Sequence, residues 1–245
     1  MEAEGATTMG GLLGGKLSYR QFRHGHRSGF EPVLLAAALP GQAGQRVLEA
    51  GTGAGAALLC AAARVKGIGG IGVERDPALA RLAAENFAAN GFTRLASVVG
   101  DATALPFPAQ SFHHVMANPP WFRAESTRPP DAGRSLARHV PAASMLAAWT
   151  GEMLRVLRDG GSITLILPAA SIAEAAALLR SGCGGVTLLP LWPRPNVKAK
   201  MVLLQARKAS RAPDAVLPGL TLHGQAGLTP EAEAVLREGQ ALALR

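Results

Sequence analysis

Arg46-Val47-Leu48-Glu49-Ala50-Gly51-Thr52-Gly53-Ala54-Gly55 is the stretch whose reading decides the fold. Residues 46–50 are expected to be a short strand, and residues 56–65, rich in Ala and Leu, are expected to be a helix. Between them, glycines tolerate positive φ and let the backbone pass close to a ligand. The helix N-terminus behind them favours a negatively charged group such as a carboxylate or phosphate.

Downstream the same alternation continues. Residues 70–74 are expected as a second strand, ending on Glu74. Residues 77–90 follow as an amphipathic helix closed by Asn90-Gly91. A third strand over 97–99 leads into Gly100-Asp101-Ala102, and Val115 lies in a fourth. A helix over 142–158 stops at Asp159-Gly160-Gly161. A fifth strand over 162–167, a helix over 171–180 and strands near 187–191 and 201–206 complete the pattern. Strands alternating with helices predict an α/β fold: a doubly wound, Rossmann-like, seven-stranded sheet with helices on both faces.

Upstream, residues 1–15 read as a disordered lead-in. Residues 16–30 are basic, with Tyr19, Phe22 and Phe30 interleaved, and suit either a ligand wrap or a solvated hairpin. Glu31-Pro32 opens a helix, with Pro32 in its first turn. Beyond the last strand, residues 207–218 read as a linker. The tail from Leu220 carries a short strand and then a helix capped by Thr229. The expected organisation is an N-terminal extension with its helix over 1–44, a main domain over 45–206, and a linker and tail over 207–245.

The bulk composition narrows the partners. Of 245 residues, 25 are Lys or Arg and 17 are Asp or Glu, a formal net charge of +8 that favours a polyanion. Cys60 and Cys183 are far apart and lack metal-ligand spacing, so neither a disulfide framework nor a metal site is expected. The histidines show no metal spacing either. The N-terminus lacks a signal-peptide pattern, and no apolar run reaches the length of a membrane span. The expected location is the cytoplasm.

Three acidic residues fall at successive strand ends: Glu49, Glu74 and Asp101. An acid about 20 residues past a glycine loop suits the hydroxyls of a ribose, and Asp101 stands where an adenine amine would need an acceptor. A nicotinamide site would want Gly-x-Gly-x-x-Gly, which Gly51, Gly53 and Gly55 match imperfectly. Glu49 would repel a pyrophosphate but suits S-adenosylmethionine, which carries an ammonium and a sulfonium. The residues therefore favour S-adenosylmethionine over a dinucleotide.

Asn118-Pro119-Pro120-Trp121 follows the fourth strand. Two prolines force the chain out of a sheet because each lacks an N–H and fixes φ. They leave the Asn118 carbonyl and side-chain amide free to meet a planar amine-bearing group, while Trp121 offers a ring to stack on it. A plain strand-ending turn is the competing reading of these four residues alone.

Glu49-x-Gly51-x-Gly53-x-Gly55, Glu74, Gly100-Asp101 and Asn118-Pro119-Pro120-Trp121, in this order and spacing, resemble the motifs of class I S-adenosylmethionine-dependent methyltransferases. The Asn-Pro-Pro-aromatic form implies methylation of an amine or amide nitrogen. Tyr19-Arg20-Gln21-Phe22, the run from Arg27-Ser28-Gly29 to Leu35, Arg194-Pro195-Asn196-Val197-Lys198 and the tail with His223-Gly224 and Thr229-Pro230-Glu231 are similar to the bacterial tRNA1(Val) adenine-N6-methyltransferases. Two departures stand out: Trp121 replaces the usual Tyr or Phe, and Glu31 replaces a frequent Asp.

The resemblance implies catalytic Asn118, Pro119, Pro120 and Trp121. It implies cofactor contacts at Glu49, Gly51, Thr52, Gly53, Gly55, Glu74, Asp101, Ala102 and Asn118, with no metal. Arg27, Arg123, Arg128, Arg194 and Lys198 are the candidate contacts to tRNA. Lys200 stands near the last two, and Arg134, Arg138 and His139 share the loop of Arg123 and Arg128. The same chemistry on a release-factor glutamine or a ribosomal guanine is the alternative. A non-catalytic RNA-binding module and a dehydrogenase rank below both.

Overall fold

The computed structural model describes residues 6–24, 29–120 and 142–244. The central sheet is built from β3 (Arg46–Ala50), β4 (Gly69–Glu74), β5 (Leu95–Val99), β6 (Phe112–Ala117), β7 (Leu157–Pro168), β8 (Cys183–Trp192) and β9 (Met201–Lys208). Their spatial order is β5-β4-β3-β6-β7-β9-β8. The first five are parallel, and β9 is antiparallel to both β7 and β8. The seven expected strands are all present, and two short pieces extend the sheet to nine: β10 (Ala215–Val216) and β11 (Leu220–Thr221), both paired parallel to β8.

Helices cover both faces. Alternate residues of a strand point to opposite faces, so Val47, Met116 and Ile166 join one core while Leu48, Val115, Leu165 and Leu167 join the other. The first core is closed by α1 (Glu31–Ala38), α2 (Ala56–Arg64) and α3 (Pro77–Ala89); the second is closed by α4 (Ala142–Val156) and α5 (Ile172–Arg180). Such two-sided burial explains why the central strands read as continuous apolar runs. Among the described residues, no helix is long and apolar enough to cross a membrane.

The structure corrects the reading of both ends. The lead-in expected to be disordered contains β1 (Thr7–Leu12), which pairs antiparallel with β2 (Leu17–Phe22). This hairpin is held from outside by α3. Asn90 bonds both backbone groups of Ser18, and Asn86 bonds both backbone groups of Arg20. Amides four residues apart share one helix face, so they meet β2 as another strand would. The stretch 207–218 is likewise no free linker. β9 runs into it, β10 lies on the sheet edge, and Asp214 accepts from the Val186 amide while pairing with Arg180. The tail continues through α6 (Pro230–Glu233), whose Thr229 cap accepts from the Ala232 amide, and a π-helical turn over Ala234–Glu238. It then returns to α1, where the Leu242 amide donates to the Ala37 carbonyl.

Candidate active site

The chain runs outward through β3, β4 and β5, then crosses back to place β6 and β7 on the other side of β3. Such a reversal opens a crevice at the carboxyl ends of the strands, where ligands bind in this class of sheet. The registers Ala50↔Val73, Ala50↔Ala117 and Glu74↔Val99 bring four strand ends to one level. Gly51, Glu74, Asp101 and Asn118 therefore share a single rim.

The glycine loop is held in a shape that few residues could adopt. Gly51, Gly53 and Gly55 all have positive φ, at 70°, 56° and 86°, the region glycine enters without steric cost. A Cβ on Gly51 would come 2.7 Å from Trp149 Cη2, and one on Gly55 would come 2.5 Å from Phe87 Cε1. Trp149 on α4 and Phe87 on α3 thus press on the loop from both faces of the sheet. An added Cβ on Gly53 meets nothing within 4 Å, so a ligand can approach the backbone there. No side chain of the capping residue, Gly55, closes the N-terminus of α2.

The three acids do different things. Glu49 is buried under the loop, where its Oε2 accepts from the Thr52 hydroxyl at 2.6 Å. Burial pushes its carboxyl up to about 8, against the opposing pull of hydrogen bonds from Thr52 and the Leu58 amide. Glu49 thereby ties the end of β3 to the first turn of α2. Glu74 Oε2 accepts from the Gly53 amide at 2.9 Å and its Oε1 from the Asp76 amide at 3.0 Å. Both bonds fix the carboxylate and leave each oxygen a further lone pair for a diol. Asp101 is exposed and accepts from the Thr103 amide and hydroxyl at 2.8 and 2.7 Å, which hold its carboxyl below the usual range. Ala102 beside it is buried.

Asn118 is half-buried immediately after β6; Pro119 is buried and Pro120 exposed. Trp121, Arg27, Arg123, Arg128, Arg134, Arg138 and His139 lie outside the described residues. Arg194, Lys198 and Lys200 are exposed on the turn between β8 and β9. Because Pro168 pairs with Met201, this turn stands at the same end of the sheet as Asn118.

Three positioning residues went unnoticed in the sequence. Asn86, besides holding β2, donates to the carbonyl of Ala54 at 2.9 Å and so fixes the glycine loop from behind. Glu152 accepts from the Leu105 amide at 2.8 Å. Arg155 donates to the carbonyls of Leu105 and Phe107, both at 2.8 Å. The pair is itself joined at 2.7 Å and clamps the loop that begins at Asp101. Asn86 carried a signal in its spacing with Asn90, and Glu152 with Arg155 in theirs. Neither pair names the loop it would reach.

Comparison with known proteins agrees with this geometry. Residues 47–161 match the model of a methyltransferase domain. A tRNA1(Val) (adenine(37)-N6)-methyltransferase of Actinobacillus succinogenes is 34% identical over 164 residues, which are 64% of this chain and 69% of that protein. The chain belongs to the class I S-adenosylmethionine-dependent methyltransferases. A second relative of this methyltransferase, from Aeromonas salmonicida and of the same description, is 30% identical over 76% of this chain and 81% of its own. Among solved structures, a predicted O-methyltransferase from Agrobacterium tumefaciens superimposes with a TM-score of 0.71 at 26% identity, over 86% of this chain and 97% of that one.

The cofactor of this methyltransferase is S-adenosylmethionine. Open space over Gly53, a helix N-terminus without a side-chain cap, and a Glu74 carboxylate fixed by amides fit its carboxylate and ribose. Among the described residues, no group of three His, Cys, Asp or Glu side chains is placed to hold a metal ion.

Proposed function

We propose that this methyltransferase modifies an exocyclic amine of a nucleobase, specifically N6 of an adenine near the anticodon of a tRNA1(Val)-type tRNA. The observation that carries the reading is Asn118 at the end of β6, on the rim shared with Gly51, Glu74 and Asp101 and followed by two prolines. The description of the relatives and the +8 charge support the RNA substrate.

Glu74 would take the ribose hydroxyls, the Asp101–Ala102 loop the adenine, and the uncapped N-terminal end of α2, beside the open backbone at Gly53, the carboxylate of the cofactor. When bound, S-adenosylmethionine supplies an electrophilic methyl group. The residues of the chain supply placement. An exocyclic amine is a poor nucleophile because its lone pair is delocalised into the ring, so orientation matters more than a strong base. Asn118 Oδ1 and the Pro119 carbonyl accept from the two N–H bonds of the amine and turn its lone pair into the crevice. Trp121 stacks on the base, which must leave its own stack to enter. Such stacking contributes about 1–3 kcal/mol.

The direct test is incubation with radiolabelled S-adenosylmethionine and bulk unmodified tRNA, followed by digestion to nucleosides. N6-methyladenosine is the expected product. Label that enters ribosomal RNA or a release-factor glutamine, with tRNA unlabelled, would replace adenine in tRNA by that acceptor while keeping the amine clamp.

A further inference from the structure

Away from the Asn118 crevice, the same rim carries an aromatic pair with no part in the chemistry above. Phe30 caps the N-terminus of α1 and is 42% exposed. Its ring centre lies 6.2 Å from that of His223, tilted by 41°. His223 is fixed in turn, since its amide donates to the Pro193 carbonyl at 3.1 Å just beyond the β8–β11 pairing at Trp192↔Thr221. The Trp192 indole donates to the Pro218 carbonyl at 3.0 Å, locking the edge on which the pair sits.

The turn beside this pair is positively charged. Residues 193–200 contribute Arg194, Lys198 and Lys200, all exposed, and their side chains make no hydrogen bond or ion pair among the described residues. Between Glu174 and Asp214, and again between Asp214 and Glu231, the sequence holds no carboxylate. Glu31, next to Phe30, and Glu231, three residues past the His223↔Leu228 bridge, are acids near the pair. An exposed ring backed by an imidazole, beside three exposed cations, is the combination that binds single-stranded nucleic acid: π-faces for bases and charge for phosphates.

We propose that Phe30 and His223, with the turn of Arg194, Lys198 and Lys200, form a second subsite that stacks another unpaired base of the same RNA strand. This rests on the RNA reading above. From β6 across β7, β9 and β8 to β11 there are four strand spacings of about 4.8 Å, or about 19 Å. The subsite therefore holds a base that is not adjacent to the target and sets the register in which an adenine reaches Asn118. It contributes to affinity and choice of site, and the chemistry stays at Asn118.

The test is steady-state kinetics of the full chain on an unmodified tRNA transcript, with Phe30→Ala, Phe30→Trp, His223→Ala and the double variant Arg194→Ala/Lys198→Ala. Phe30→Ala should raise KM for RNA about tenfold with a much smaller effect on kcat, and Phe30→Trp should restore it. The double variant should flatten the dependence of log KM on log salt by about one to two in slope. Ultraviolet crosslinking followed by mass spectrometry should find nucleotide adducts on Phe30, His223 or residues 193–200.

A Phe30→Ala enzyme that methylates RNA with unchanged KM, or adducts confined to other surfaces, would overturn the subsite and leave the RNA reading standing. A wild-type enzyme that methylates a protein amide and no RNA would overturn both.

Discussion

Asn86 Nδ2 lies 2.9 Å from the carbonyl oxygen of Ala54, and the same side chain bonds both backbone groups of Arg20. One buried amide thus joins the N-terminal hairpin, helix α3 and the glycine loop. Replacement by Ala would leave three buried or half-buried backbone groups without partners. The expected cost is about 2–4 kcal/mol in urea unfolding, together with a loss of S-adenosylmethionine affinity beyond tenfold in calorimetry. Asn86→Asp keeps one acceptor but loses both donors, so it should rescue little.

Glu49 makes stability depend on pH in a direction unusual for a carboxylate. Its folded value of about 8 stands above the ordinary carboxylate value of 4.5, so the folded state binds the extra proton. This contribution is full below about pH 4.5 and is lost as pH rises towards 8, by at most about 1.4 kcal/mol per pH unit. Urea unfolding of the ligand-free protein at pH 5, 6.5 and 8 should show that decline, and Glu49→Gln should flatten it. Equal slopes in the two proteins would mean that Glu49 is ionised in the fold.

For Asn118→Ala, methyl transfer should fall by roughly 10²–10³ or more, as when an aligned polar group is removed from a reacting centre. S-adenosylmethionine affinity should stay within a few-fold, because the residues proposed to take its carboxylate, ribose and adenine lie at the ends of other strands. Single-turnover transfer and calorimetry on the same preparation separate the two effects. A variant that turns over normally would sink the amine clamp.

Arg155 and Glu152 hold the loop from Asp101 to Phe107, which is proposed to take the adenine of the cofactor. Arg155→Ala frees the carbonyls of Leu105 and Phe107, and the expected result is a KM for S-adenosylmethionine raised about tenfold with kcat changed much less. Arg155→Lys should not rescue it, because a single ammonium cannot replace the planar fork that spans two carbonyls and the Glu152 carboxylate.

The sequence by itself determined the order of strands and helices, the glycine loop, the acids at three strand ends and the Asn-Pro-Pro turn. Each rests on local physics: apolar runs bounded by Gly or Pro, positive φ open to glycine, and the missing N–H of proline. Ends were misread where local composition gave no apolar period. β1, with Gly10 and Gly11 in Thr7–Leu12, forms because β2 supplies its partners, and Asn86 and Asn90 in turn hold β2. β10 forms because the edge of β8 supplies its own. The tertiary structure alone decided that Glu49 lies buried beneath the loop while Glu74 and Asp101 line the crevice. Position along a strand fixes which face a side chain meets, but burial depends on what packs over that face. It also decided which distant groups hold the site. Asn86 reaches Ala54 across 32 residues and Arg155 reaches Leu105 across 50, and side-chain to backbone bonds of that range leave no periodic trace in a chain.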